Sequence, residues 1–137
     1  MITGVNHLGI AVRNLEASLA VFRALLQTEP FYRQVIADQQ VEVASFDVGG
    51  VLIELTAPTH ETSPVAKFIE KRGEGIHHLA FTSTGVNQEL KRLSDDGMQL
   101  IDHQAKPGAH DMMIAFVHPK STNGVLVELC QSAQSAE

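Results

Sequence analysis

Hydrophobic and polar positions along this chain run through one programme twice. Residues near 5–12 alternate as a strand and lead into Leu15, Leu19, Phe22 and Leu26, the stripe of a helix from Leu15 to about Gln27. Asn14 is its candidate N-cap. Phe31 to Ile36 and Val41 to Phe46 then read as strands, and Gly49-Gly50 as a hairpin turn into Val51–Leu55. The second half repeats the order. A strand holding His78 precedes a helix over about 86–94, with Val86, Leu90 and Leu93 inward and Gly97 at its end. Strands near 99–103 and 112–117 lead to a last one at 125–130. Between the halves, Ser63 as cap, Pro64 in the first turn and Gly73 as stop delimit a short helix.

The pattern predicts an α+β fold of two tandem βαβββ modules in one domain spanning 1–137. Module 1 covers about 4–58, the linking helix about 63–73, module 2 about 75–131, and residues 132–137 read as a frayed tail.

Each copy places one histidine and one glutamate at matching points. Strand alternation puts His7 on a face with Gly9 and Ala11, while Leu8, Ile10 and Val12 occupy the other. His78 likewise lies with Ala80 and Thr82, opposite Leu79 and Phe81. Small neighbours leave open space beside each imidazole, where a packed core would carry Leu or Val. The last strand of each copy holds a lone carboxylate in an apolar run, Glu54 between Ile53 and Leu55, and Glu128 between Val127 and Leu129. A buried carboxylate needs a partner. A divalent cation held by His7, Glu54, His78 and Glu128 supplies one, and such a nitrogen–oxygen set suits Co, Mn, Ni, Fe or Zn. The alternative is a hydrogen-bonded strand histidine and an outward-facing glutamate in each half. His77 is expected on the other side of its strand from His78.

Composition narrows the partners. With 137 residues, 44% of them hydrophobic, the chain can bury a substantial core. A formal charge of −6 argues against non-specific nucleic-acid binding. No apolar run is long enough for a membrane span, and a single cysteine, Cys130, fits a reducing, cytoplasmic setting.

Two stretches carry a family resemblance. Ser63-Pro64-Val65-Ala66-Lys67-Phe68-Ile69-Glu70-Lys71-Arg72-Gly73-Glu74-Gly75-Ile76-His77-His78 and His118-Pro119-Lys120-Ser121-Thr122-Asn123-Gly124-Val125-Leu126-Val127-Glu128-Leu129 resemble the methylmalonyl-CoA epimerases of the vicinal oxygen chelate superfamily. The resemblance implies a curved, half-barrel-like metal cavity, the same four ligands, a metal that is cobalt before Mn, Ni or Zn, and a homodimer. It also implies an acyl-CoA substrate, (R)- and (S)-methylmalonyl-CoA, epimerised by α-proton abstraction through a metal-stabilised enolate. Glu128 would be one acid–base group and Glu42 the candidate for the second. His118, Lys120 and Ser121 would line the substrate side. The chain departs from the family's pattern between Gln27 and Gln40, and at His110-Asp111, where a glycine pair is common. A glyoxalase I-type isomerase acting on glutathione hemithioacetals uses the same ligand layout, and a non-catalytic small-molecule binder shares the fold. The residues His118-Pro119-Lys120-Ser121 favour the epimerase over the first, and four filled ligand positions favour an enzyme over the second.

Overall fold

In the computed structural model, which describes residues 1–133, two compact units divide the chain. One is His7–His77; in the other, Met1–Asn6 join the chain from His78 onward. The elements in order are β1 (Ile2–Ala11), α1 (Leu15–Leu26), β2 (Tyr32–Ile36), β3 (Val41–Val48), β4 (Val51–Pro58), α2 (Pro64–Arg72), β5 (Gly75–Ser83), α3 (Val86–Asp95), β6 (Lys106–Pro107), β7 (Met112–Val117) and β8 (Val127–Ser132). The succession is βαβββ, a linking helix, then βαβββ again, an α+β fold.

In the His7–His77 unit the strands lie in the order β2-β3-β4-β1, with β1 parallel to β4 and the other pairs antiparallel. Gly49 and Gly50, at φ 63° and 94°, close the tight β3–β4 hairpin, a conformation that glycine adopts without strain. Asn14 caps α1 by accepting from the Ala17 amide at 2.9 Å. The helix presses Leu15 and Leu19 onto Val12, Ala44, Phe46, Leu55 and Ala57. These are the even positions of β3 and the odd positions of β4, so the register assigns every side chain on those strands to one face or the other. Ser63 caps α2 through the Val65 amide.

In the other unit the order is β5-β8-β7-β6, and the first residues of β1 run beside β5, where Thr84 N donates to the Met1 carbonyl at 2.9 Å. Val86, Leu90 and Leu93 of α3 pack on Leu100, Ala115, Val117 and Leu129. Two expectations change here. The strand near 99–103 is reduced to a single bridge, Leu100 to Val117, because Asp102 turns its side chain inward to accept from the Phe116 amide at 2.8 Å. The short strand forms later, at Lys106–Pro107. At the C-terminal end, β8 continues through Ser132, and buried Gln131 accepts from the Val86 amide. Gly85, at the N-cap of α3, has no side chain to do this, so a distant glutamine caps the helix. Residues 134–137 of the expected tail lie outside the described residues. Among the described residues no helix is long and apolar enough to cross a membrane.

Glu89 ties α3 to the chain start. Its buried carboxylate accepts from Arg92 at 2.8 Å and from the Met1 ammonium at 3.2 Å. The Arg92 hydrogen bond is the main reason its pKa falls below the ordinary glutamate value, despite the opposing effect of burial. A carboxyl with a lowered folded pKa stabilises the fold at neutral pH and loses that effect as pH falls through the carboxylate range. Glu89→Gln should therefore lower the melting temperature at pH 7, and thermal melts should show the gap closing below about pH 4.

Candidate metal centre

The strand registers explain how each unit presents its His–Glu pair. In parallel β1 and β4, Gly9 stands opposite Glu54, which puts His7 one alternation away on the same face. In parallel β5 and β8, Ala80 stands opposite Glu128, with His78 one alternation away. The two arrangements are equivalent residue for residue, and in each the position facing the carboxylate is Gly or Ala. His7 Nε2 lies 3.8 Å from Glu54 Oε1, and His78 Nε2 lies 3.1 Å from Glu128 Oε1. All four residues are between 4% and 6% exposed, so the alternative of outward-facing glutamates does not hold.

Both pairs lie on the strand faces turned away from α1 and α3. In the His7–His77 unit, α1 takes Leu55 and Ala57, leaving Glu54 and Thr56 on the opposite side. In the other unit, α3 takes Leu129, leaving Glu128 and Cys130 beside Ala80, Ile114, Met112 and Phe116. The Phe116 ring meets His78 edge-on, with centroids 5.9 Å apart, and so restrains the imidazole. Each buried imidazole–carboxylate pair offers nitrogen and oxygen donors of the kind that suit a divalent cation, with little water to compete.

The other sequence-predicted residues are placed as follows. Glu42 stands opposite Ala57 on β4, one position out of phase with Ser45 opposite Glu54, and so shares the α1 side with Ala44 and Phe46. Its carboxylate accepts from Arg33 Nε at 2.8 Å, and Arg33 also pairs with Glu16 of α1. Those two carboxylates raise the Arg33 pKa, Glu42 contributing most. Glu42 is thus on the face opposite the His7–Glu54 pair. His118 and Ser121 frame a short 3-10 turn, His118 Nδ1 accepting from Lys120 N at 3.0 Å and Ser121 Oγ from Gln99 N at 2.8 Å. Lys120 is exposed. His77 packs edge-on against Phe68 of α2 at 4.9 Å between centroids, away from His78's face as expected.

Two polar side chains on these faces were not singled out from the sequence. Lys106 stands opposite Ile114, its Nζ 5.5 Å from the Phe116 centroid and 3.0 Å from Asp102 Oδ1. Thr56, two residues beyond Glu54, is 4% exposed, and its Oγ1 makes no hydrogen bond. Leaving a buried hydroxyl unsatisfied costs about 1–3 kcal/mol. The same alternation that singled out Glu54 would have found Thr56. Lys106 was hidden by the displaced strand.

A protein-family model, the Glyoxalase/Bleomycin resistance protein/Dioxygenase superfamily, matches residues 6–116. The chain belongs to this superfamily. Among curated relatives of the superfamily member, the ethylmalonyl-CoA/methylmalonyl-CoA epimerase of Cereibacter sphaeroides is 38% identical over 96% of this chain and 99% of its own. The uncharacterised protein YqjC of Bacillus subtilis is 40% identical over 93% of this chain and 91% of its own. Of solved structures, a methylmalonyl-CoA epimerase in complex with methylmalonyl-CoA and NH4+ superposes with a TM-score of 0.93 at 34% identity, covering 97% of this chain and 96% of that one.

A cation bound by the folded chain and not by the unfolded one raises stability by about 2.7 kcal/mol at a free concentration 100 times Kd. Chelator-stripped protein should accordingly melt several degrees lower than protein with excess Co2+ or Mn2+. In differential scanning calorimetry, that increment should be largely lost in His7→Ala and in His78→Ala.

Proposed function

We propose that this protein is a metal-dependent epimerase that interconverts (R)- and (S)-methylmalonyl-CoA, and that His7, Glu54, His78 and Glu128 together hold one divalent ion. The reading is carried by the duplicated, buried His–Glu pairs. Relatives named epimerases that align over nearly the whole chain support the substrate class. Cobalt is the first choice of metal by family resemblance, with Mn, Ni and Zn as alternatives. The bound ion would supply Lewis-acid stabilisation of negative charge developing on the thioester oxygen.

The chain's own residues handle the proton. Glu128 is the carboxylate assigned to take the α-proton, which is acidified by the adjacent thioester carbonyl. Epimerisation then needs a proton returned to the other face of the planar enolate. Glu42 is given no part in this, because it is ion-paired to Arg33 on the α1 side of its strand. The β3 side chains in phase with Ser45, on Glu54's face, are Val41, Val43 and Asp47; the valines are buried and Asp47 is exposed. Water is therefore assigned as the source of the second proton. His118, Lys120 and Ser121 are proposed on the substrate side, with exposed Lys120 the one charged group among them to meet an acyl-CoA phosphate.

A homodimer is part of the reading. Edge strand β2 exposes Val35, with Phe31 exposed just before it, and pairing would cover such an edge. The chain's single cysteine, Cys130, is a buried thiol, which fits the reducing setting of a cytoplasmic enzyme.

Proton NMR of one methylmalonyl-CoA epimer in D2O tests the function. Metal-loaded protein should deuterate C2 well above the spontaneous rate, and chelation should stop it reversibly. With one protein carboxylate and water as the two proton sources, deuterium should enter the recovered starting epimer as well as the product. Glu128→Gln should reduce exchange by at least about a hundredfold, the usual share of a general base. Glu42→Gln should retain it within about threefold, since losing an exposed ion pair has a small effect. No washout by folded, metal-loaded protein would refute the epimerase assignment.

A further inference from the structure

Thr56 is the unexplained polar group on the face of β4 that carries Glu54. It is 4% exposed and its hydroxyl has no hydrogen-bond partner. Its strand neighbours on that face are Ala11 of β1 and Val43 of β3, both buried and neither able to donate or accept from its side chain. The Thr56 carbonyl is occupied by the Val12 amide at 3.0 Å, as the sheet requires, so the backbone explains nothing about the hydroxyl. Valine has nearly the same shape and would fill this apolar place without a polar group left over. A hydroxyl kept there points to a ligand. Two residues along a strand span about 6.6 Å, so that ligand lies beside whatever Glu54 binds.

We infer that Thr56 is a specificity-determining residue, and that its hydroxyl donates a hydrogen bond to the free carboxylate of the acyl group. The inference rests on the acyl-CoA reading and deepens it. Val41 and Val43 give the β3 side of this face no charge to offer a carboxylate. Thr56 is the group in that row that can receive one. The site would then distinguish dicarboxylic acyl-CoA thioesters, such as a malonyl group, from simple acyl groups lacking the carboxylate.

Isothermal titration of metal-loaded protein with malonyl-CoA and with propionyl-CoA separates the possibilities without turnover. Thr56→Val should weaken malonyl-CoA binding about tenfold, the size of one charge-assisted hydrogen bond, and leave propionyl-CoA unchanged. Thr56→Ser should restore malonyl-CoA affinity. Removing an unsatisfied hydroxyl should leave the melting temperature of free Thr56→Val equal to or above that of the unaltered protein, which separates lost binding from lost folding. In turnover, the valine variant should raise KM for methylmalonyl-CoA more than it lowers kcat. Unchanged malonyl-CoA affinity in Thr56→Val, or equal weakening for both thioesters, overturns the assignment while leaving the epimerase reading intact. If the unaltered protein binds neither thioester and exchanges no deuterium, the epimerase reading fails and this inference fails with it.

Discussion

The constraint on which the site depends is electrostatic: two carboxylates, Glu54 and Glu128, sit in the middle of apolar strands with about 95% of their surface removed from water. Taking such a charge out of water costs several kcal/mol unless a partner of opposite charge offsets it. Each glutamate is held opposite a residue with little or no side chain, Gly9 or Ala80, and beside a histidine one alternation away. The cost is met if the residues are ligands. Folding supplies the rigid strands that hold both carboxylates in place.

The duplication gives this constraint its form. One βαβββ unit brings one histidine and one glutamate to a single face, with its helix covering the other. The parallel pairing of first and last strand is what brings them together, because it fixes Gly9 against Glu54 and Ala80 against Glu128. A slip of one residue would turn each carboxylate into the helix-packed core and each neighbouring leucine outward. The apolar cores under α1 and α3 therefore do more than stabilise the fold. By burying Leu55 and Leu129 on one side, they oblige Glu54 and Glu128 to take the other.

Much of this was legible in the sequence, and the reasons are specific. The alternation of His7 with Gly9 and Ala11, and the lone glutamates among branched apolar residues, are period-2 signals that survive without knowledge of pairing. Helix punctuation by Asn14 and Ser63 was equally local, and both residues cap their helices. What sequence could not supply was register across strands. Whether Glu42 faced Glu54 depended on how β3 meets β4, and that alignment places it with Arg33 instead. The strand expected near 99–103 failed because an acidic side chain, Asp102, competes for a strand amide, a long-range contact that no local pattern encodes. Gln131 as the cap of α3 belongs to the same class, joining groups 45 residues apart.

The most direct measurement of the central claim is the metal content of purified protein, loaded with Co2+, dialysed free of excess, and counted against chain concentration by plasma mass spectrometry. A single centre using both His–Glu pairs predicts one ion per chain, and loss of that ion when either Glu54 or Glu128 is replaced by alanine. Two ions per chain, each surviving loss of the other pair, or none in folded protein, would contradict it.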